Sequence, residues 1–172
     1  PLKKNTKFVA FISGVNLKNK LSKSEISILQ KNIDIFGVLV FRNQPLSDDE
    51  QVLFSEYFGK IEHSGNKSNI TKASERRLST KLADVSNIDK KSNIFKKNDP
   101  RRIFKLGNRL WHSDSSFKKI PAKYSLLSSK TIVKKGGNTE FSDTRLAYEH
   151  LDNDTRDKIE NLYCEHSLIY SR

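Results

Sequence analysis

The chain is 172 residues long, 35% hydrophobic and 30% charged, with a formal net charge of +12. That length suits one domain or a large piece of a bigger one, and no apolar run approaches the roughly 20 residues that a membrane-spanning helix needs. The start lacks the apolar core and small-residue cleavage site of a secretory leader, and a single cysteine, Cys164, cannot close an internal disulfide, so a reducing, cytoplasmic setting is expected.

In chain order, Ser22-Lys23-Ser24-Glu25 has capping-box spacing and is followed by Ile26, Leu29, Ile33 and Phe36 at helical intervals, then Gly37. The pattern predicts an amphipathic helix with a glycine stop. Val38-Leu39-Val40-Phe41 reads as a buried strand. A second capping box, Ser47-Asp48-Asp49-Glu50, opens a helix with Leu53, Phe54, Tyr57 and Phe58 on its apolar face, ended by Gly59. Residues 63–100 are rich in Ser, Asn and Lys and poor in periodicity, which predicts a mobile, variable loop broken by a strand-like stretch over 81–88. Beyond Phe117, strands are predicted over 124–128 and 130–133, then a Gly136-Gly137-Asn138 turn and a strand over 139–141. Asp143 is predicted to cap a helix through Leu151, and Asn153 or Asp154 to open another with Ile159 and Leu162 facing inward. A last strand is predicted over 166–170.

The basic excess is regional. Residues 60–135 hold 20 Lys and Arg against 6 Asp and Glu, a balance of +14, whereas the remainder holds 12 against 14. Such a region attracts nucleic acid, anionic headgroups or small anions. The aromatic interleaving of single-strand binding platforms is missing, which disfavours nucleic acid.

The chemistry lies in Leu110-Trp111-His112-Ser113-Asp114-Ser115-Ser116-Phe117. On a strand, His112 and Asp114 project to one face and can grip one ion, together with Asn108 on the same parity, while Trp111 turns away to packing. Imidazole plus carboxylate suits Fe(II), Mn(II) or Zn(II). On its own a His-x-Asp pair is weak evidence.

"LWHSDSSF", followed by "IPAKYSLLSSKTIVKKGGNTEFSDTRLAYEHL", resembles the taurine dioxygenase family of Fe(II)- and 2-oxoglutarate-dependent enzymes, and within it the 2,4-dichlorophenoxyacetate dioxygenase branch. "GVLVFRNQPLSDDEQVLFSEYFGKIE" and "LADVSNI" are similar to the family's N-terminal blocks, in the same order. The resemblance implies an α+β fold: a double-stranded β-helix, a jelly-roll relative, with flanking helices. It implies His112 and Asp114 as the first two iron ligands, Thr139 as the hydroxyl that meets the 2-oxoglutarate carboxylate, and Asn108 as a cofactor or substrate contact. The implied activity is hydroxylation of a small anionic substrate, a carboxylate or sulfonate, with dioxygen consumed and succinate and CO2 released. Lys67, Lys90 and Lys91 are candidate counter-ions for that substrate.

The family's third iron ligand, a distal histidine, and its cosubstrate-binding arginine have no match here; His150 and His166 read as structural or surface residues, and His63, at the start of the variable loop, as a surface residue or a substrate contact. With no methionine and Pro1 at its start, the chain is expected to be the N-terminal portion of a longer protein, incomplete and inactive alone, with no membrane partner; a homo-oligomer is compatible with the sequence. Two alternatives stand beside this reading. A halogenase on the same scaffold would need a small residue in place of Asp114. A non-catalytic basic binding module would bind nucleic acid with a steep salt dependence.

Overall fold

The computed structural model describes residues 8–63 and 71–167. The chain divides into two compact units, Pro1–Glu50 with Leu127–Cys164 and Gln51–Leu126 with Glu165–Arg172.

In the first unit, strand β1 (Val9–Ile12) pairs in parallel with β2 (Val38–Phe41), Val9 opposite Val38 and Ile12 opposite Phe41. Parallel neighbours need a crossover of a dozen or more residues, and helix α1 (Lys23–Phe36) provides it. The capping box is complete: Ser22 Oγ accepts from the Glu25 amide at 3.2 Å, and the Glu25 carboxylate accepts from the Ser22 amide at 2.8 Å. These bonds hold the Glu25 carboxyl below its ordinary range. Of the predicted apolar face, Leu29 is buried and Ile26, Ile33 and Phe36 are half-buried. Gly37 ends the helix at φ +76°, its amide donating to the Ile33 carbonyl at 2.8 Å. A Cβ there would sit 2.6 Å from the Phe8 ring, so both the left-handed backbone and the close approach call for glycine. Arg145 donates to the Asp34 carbonyl at 2.7 Å, on the last turn of α1, where orphaned carbonyls and the helix dipole favour a cation. The Gln44 side chain bonds both the Leu17 amide and the Val15 carbonyl and so fastens the loop after β1.

Helix α2 (Asp48–Glu56) carries the second capping box, Ser47 with Glu50. It buries Val52 and Phe54, and Phe54, Phe58 and Tyr124 follow one another in edge-to-face contacts at 5.3 and 5.8 Å. Leu53, predicted for the apolar face, is exposed, because the buried face is turned by one position onto Val52.

Residues 71–100 have more local order than a featureless loop. A 3-10 turn spans Ala73–Glu75, Ile88 and Ile94 form an antiparallel bridge, and helix α3 (Pro100–Lys105) begins where Asp99 accepts from the Arg101 amide. The guanidinium of Arg101 joins Asp99 at 2.8 Å and Glu75 at 3.3 Å and lies over the Phe95 ring. Helix α3 and strand β1 were both unread in the sequence, although Asp-Pro at a helix start and the run Phe8-Val9-Ala10-Phe11-Ile12 are visible signals.

The remaining predicted strands are corrected. Among the described residues, 81–88, 108–114, 124–128, 130–133 and 139–141 form no ladder; Ile88 alone enters a bridge. An extended segment without a partner to take its backbone bonds is not stable as a strand, and apart from Ile94 opposite Ile88 no described segment pairs with these. Helix α4 (Thr144–Glu149) is capped by Asp143 as predicted but stops before Leu151. Helix α5 (Asn153–Ile159) is capped by Asp152, because Asp152, one place earlier, reaches the Thr155 amide at 2.7 Å. Leu162, predicted inward, is exposed, and the strand predicted over 166–170 lies mostly outside the described residues. No helix among the described residues is long and apolar enough to cross a membrane.

Candidate metal centre

The motif follows directly from α3. The last turn of α3 tightens into a 3-10 turn over Leu106–Arg109, after which Leu110 is extended at φ −90° and ψ 148°. Residues 111–113 belong to no regular element, and a turn begins at Asp114. The expected strand parity is therefore corrected. Asn108 sits in the 3-10 turn, Trp111 is exposed rather than packed, and the turn rather than a pleat brings Asp114 back toward His112.

Within this arrangement His112 Nε2 lies 3.4 Å from Asp114 Oδ1. The other ring nitrogen, Nδ1, is 2.7 Å from the Leu110 carbonyl. A carbonyl can only accept, so Nδ1 carries a proton, and in the Nδ1–H tautomer of the ring Nε2 presents a lone pair. In that tautomer Nε2 and the Asp114 carboxylate offer two lone pairs 3.4 Å apart to one cation. A first-row metal with ligands at about 2.1 Å spans about 3 Å between adjacent donors, so the pair fits one edge of an Fe(II) or Mn(II) coordination shell. A backbone carbonyl on the distal nitrogen is also the usual outer support of a metal-bound histidine. Both side chains are accessible, at 40% and 60% exposure, as an open site requires. Among the described residues no third His, Cys, Asp or Glu completes the set.

The carboxylate and its turn are held from outside. Ser125 Oγ donates to Asp114 Oδ2 at 2.7 Å. Ser115, at φ +58°, donates to both oxygens of Glu62 at 3.1 and 2.9 Å, and Lys118 pairs with the same carboxylate. The Lys118 hydrogen bond holds the Glu62 carboxyl below its ordinary range, opposed by partial burial. Nearby, burial pushes the Lys105 ammonium down, opposed by Asp84.

The other predicted site residues are each described within their own segment. Thr139 is exposed, in a segment of the first unit without regular structure. Lys90 donates to the Ser74 carbonyl at 3.2 Å and Lys91 sits beside it in the turn closed by the Ile88–Ile94 bridge, with the Lys91 amide on Asp89. Lys67 lies outside the described residues. His63, His150 and His166 are all exposed. Sequence reading missed Ser125 and Glu62. Their signals were faint: a hydroxyl within the apolar run Tyr124-Ser125-Leu126-Leu127, and one of the few acids in the basic stretch.

Comparisons with known proteins place the chain in a family. The family described as "Taurine catabolism dioxygenase TauD, TfdA family" matches residues 1–172. The chain is 36% identical over 165 residues to the alpha-ketoglutarate-dependent 2,4-dichlorophenoxyacetate dioxygenase of Cupriavidus pinatubonensis, covering 96% of this chain and 57% of that one. With the (S)-phenoxypropionate/alpha-ketoglutarate-dioxygenase of Sphingobium herbicidovorans it shares 28% over 167 residues, covering 96% and 52%. The crystal structure of AAD-2 in complex with Mn(II) and N-oxalylglycine superposes with a TM-score of 0.86 at 44% identity, over 97% of this chain and 56% of that one. The chain thus spans about half the length of the curated relatives it matches. With a family match over its whole length, the chain belongs to the TauD/TfdA family.

Proposed function

We propose that the protein is an Fe(II)- and 2-oxoglutarate-dependent dioxygenase that hydroxylates a small anionic substrate, built on a double-stranded β-helix of which this chain forms the N-terminal part. One observation carries the reading: Nε2 of His112 faces Asp114 Oδ1 at 3.4 Å while Nδ1 is committed to the Leu110 carbonyl. The two residues would hold one edge of the metal, with the remaining protein ligand supplied from outside the described residues. Ferrous iron held by His112 and Asp114 with 2-oxoglutarate would supply oxidative decarboxylation of the keto acid to succinate and CO2, one atom of dioxygen entering succinate and the other a substrate C–H bond. The binding of Mn(II) and N-oxalylglycine, a 2-oxoglutarate analogue, by AAD-2 supports this cofactor pair.

In this proposal Thr139 donates its hydroxyl to the cosubstrate carboxylate and Asn108 contacts cosubstrate or substrate. Lys67, Lys90 and Lys91 offer charge to the substrate anion, Lys90 after leaving the Ser74 carbonyl. The names of the two relatives, both for phenoxy-substituted carboxylates, favour a carboxylate over a sulfonate. The basic binding module is less well supported, because several cations of the stretch are committed within the chain: Arg77 to Asp84, Lys81 to Glu56, Arg101 to Asp99 and Glu75, and Lys118 to Glu62.

The test is succinate release by the full-length protein with Fe(II), 2-oxoglutarate and 2,4-dichlorophenoxyacetate or a related carboxylate. Turnover that falls at least 100-fold in His112→Ala and Asp114→Ala is expected. Metal uptake and turnover unaffected by both substitutions would refute the assignment.

A further inference from the structure

We propose that Ser125 is a positioning residue that selects which oxygen of Asp114 meets the metal. The inference rests on the metal reading above and deepens it.

An aspartate carboxylate has two equivalent oxygens and a broad, nearly two-fold torsion about its last bond, so an accessible Asp114 has no intrinsic reason to present one oxygen rather than the other. Ser125 removes the equivalence. Its hydroxyl donates to Oδ2 at 2.7 Å and leaves Oδ1 turned toward His112 Nε2 at 3.4 Å. The two contacts use opposite oxygens of one carboxylate, which is the arrangement of a metal ligand braced from its outer side.

The hydroxyl is itself held in place. Ser125 lies 11 residues after Asp114 in the chain and belongs to no helix or strand, so its position depends on its neighbours. Tyr124 packs edge-to-face on Phe58 at 5.8 Å, and Phe58 on the buried Phe54 of α2 at 5.3 Å. On the other side the Leu126 carbonyl accepts from Gln51 Nε2, also of α2. The aromatic cluster of α2 thereby sets the backbone of residues 124–126, and the backbone sets the hydroxyl. The path from helix to ligand is Phe54, Phe58, Tyr124, Ser125, Asp114. A substitution that removes only the hydroxyl leaves every packing contact on that path intact.

The experiment is titration of the full-length protein with Mn(II), followed by calorimetry and by the EPR signal of the free ion. Ser125→Ala should weaken Mn(II) binding about 10- to 100-fold, with the thermal midpoint of the metal-free protein unchanged, and Ser125→Thr, which keeps the hydroxyl, should restore affinity to within a few-fold of the parent. Asp114→Ala serves as the reference for the metal reading itself. Loss of Mn(II) binding in Asp114→Ala together with parental affinity in Ser125→Ala would overturn the role of Ser125 and leave the metal site standing. Equal weakening in the alanine and threonine variants would assign the residue to packing and also overturn it. Parental affinity in Asp114→Ala would remove both proposals at once.

Discussion

The stretch from β1 to Gly59 and the stretch from Leu106 to Phe141 solve the same problem, hiding apolar side chains, with different success. All five buried hydrophobic residues among the described ones, Leu17, Leu21, Leu29, Val52 and Phe54, lie in the first. The second leaves Trp111 69%, Ile120 84%, Leu127 66% and Ile132 85% exposed. Their compositions do not explain the difference, since both are rich in branched and aromatic residues. The partners do. The first stretch closes on itself: β1 finds β2 across one crossover helix, each helix start is capped by a serine and a glutamate three residues apart, and Gly37 ends α1 on its own carbonyl. The second contains segments with strand composition and no ladder. Among the ties that hold it, Ser125 to Asp114 and Glu62 to Ser115 and Lys118 lie at the His-x-Asp motif and the turn that follows it.

The sharpest way to break this contrast is to remove one apolar side chain from each region of the 172-residue chain. Leu29→Ala empties a buried position on α1 and should cost about 2–4 kcal/mol, whereas Ile132→Ala, at 85% exposure, should stay within about 0.5 kcal/mol. Urea unfolding followed by circular dichroism measures both, and comparable losses would show that the two regions are equally packed. A smaller effect sharpens the same point. Ser22→Ala removes the side-chain half of the α1 capping box and should cost about 1 kcal/mol, with the slope of the urea transition unchanged.

Legibility in the sequence follows the same division. Both capping boxes, the glycine stop of α1, β2 and the cap of α4 were readable because each is decided by residues within four positions of one another. The pairing of His112 with Asp114 was readable from spacing, but for a different physical reason: strand alternation was the expected mechanism, and a turn starting at Asp114 is the observed one. Asn108 likewise stands in a 3-10 turn and not on the strand whose alternation was expected to align it. Ser125 and Glu62 were not readable, since hydrogen bonds spanning 11 and 53 residues leave no periodic trace. Leu53 was misplaced because two adjacent apolar positions, Val52 and Leu53, compete for one helix face, and tertiary packing, which buries Val52 and leaves Leu53 exposed, decides between them. The strands of the second region were misread because strand composition states a preference for a partner without naming one.

The tie at Glu62 tests whether the second region is held by charge. Glu62→Gln removes the ion pair with Lys118 while leaving an oxygen for the Ser115 hydroxyl. Both partners are about one-third exposed, so screening limits the effect. A double-mutant cycle of Glu62→Gln with Lys118→Ala should give a coupling of about 0.2–1 kcal/mol that shrinks in high salt. A coupling that persists unchanged in molar salt would point to packing rather than charge.

The smallest effect should be visible only in acid. Asp99 both caps α3 and bonds Arg101, and the Arg101 guanidinium lowers its carboxyl from the ordinary 3.8 to about 2, opposed by desolvation. A carboxyl depressed in the folded state stabilises the fold above its unfolded value and loses that contribution as the pH falls through the folded one, so the window runs from about pH 4 down to about pH 2. Asparagine caps a helix as well as aspartate does, so Asp99→Asn keeps the bond to the Arg101 amide and removes only the titrating charge. The thermal midpoint of the parent should therefore fall more steeply than that of Asp99→Asn across this window, and the two should run nearly parallel above pH 5, where the parent keeps whatever small advantage the screened ion pair gives. Parallel curves below pH 4 would mean that Arg101 is held by Glu75 and the Phe95 ring, and that the order of residues 71–105 owes more to stacking than to the Asp99 charge.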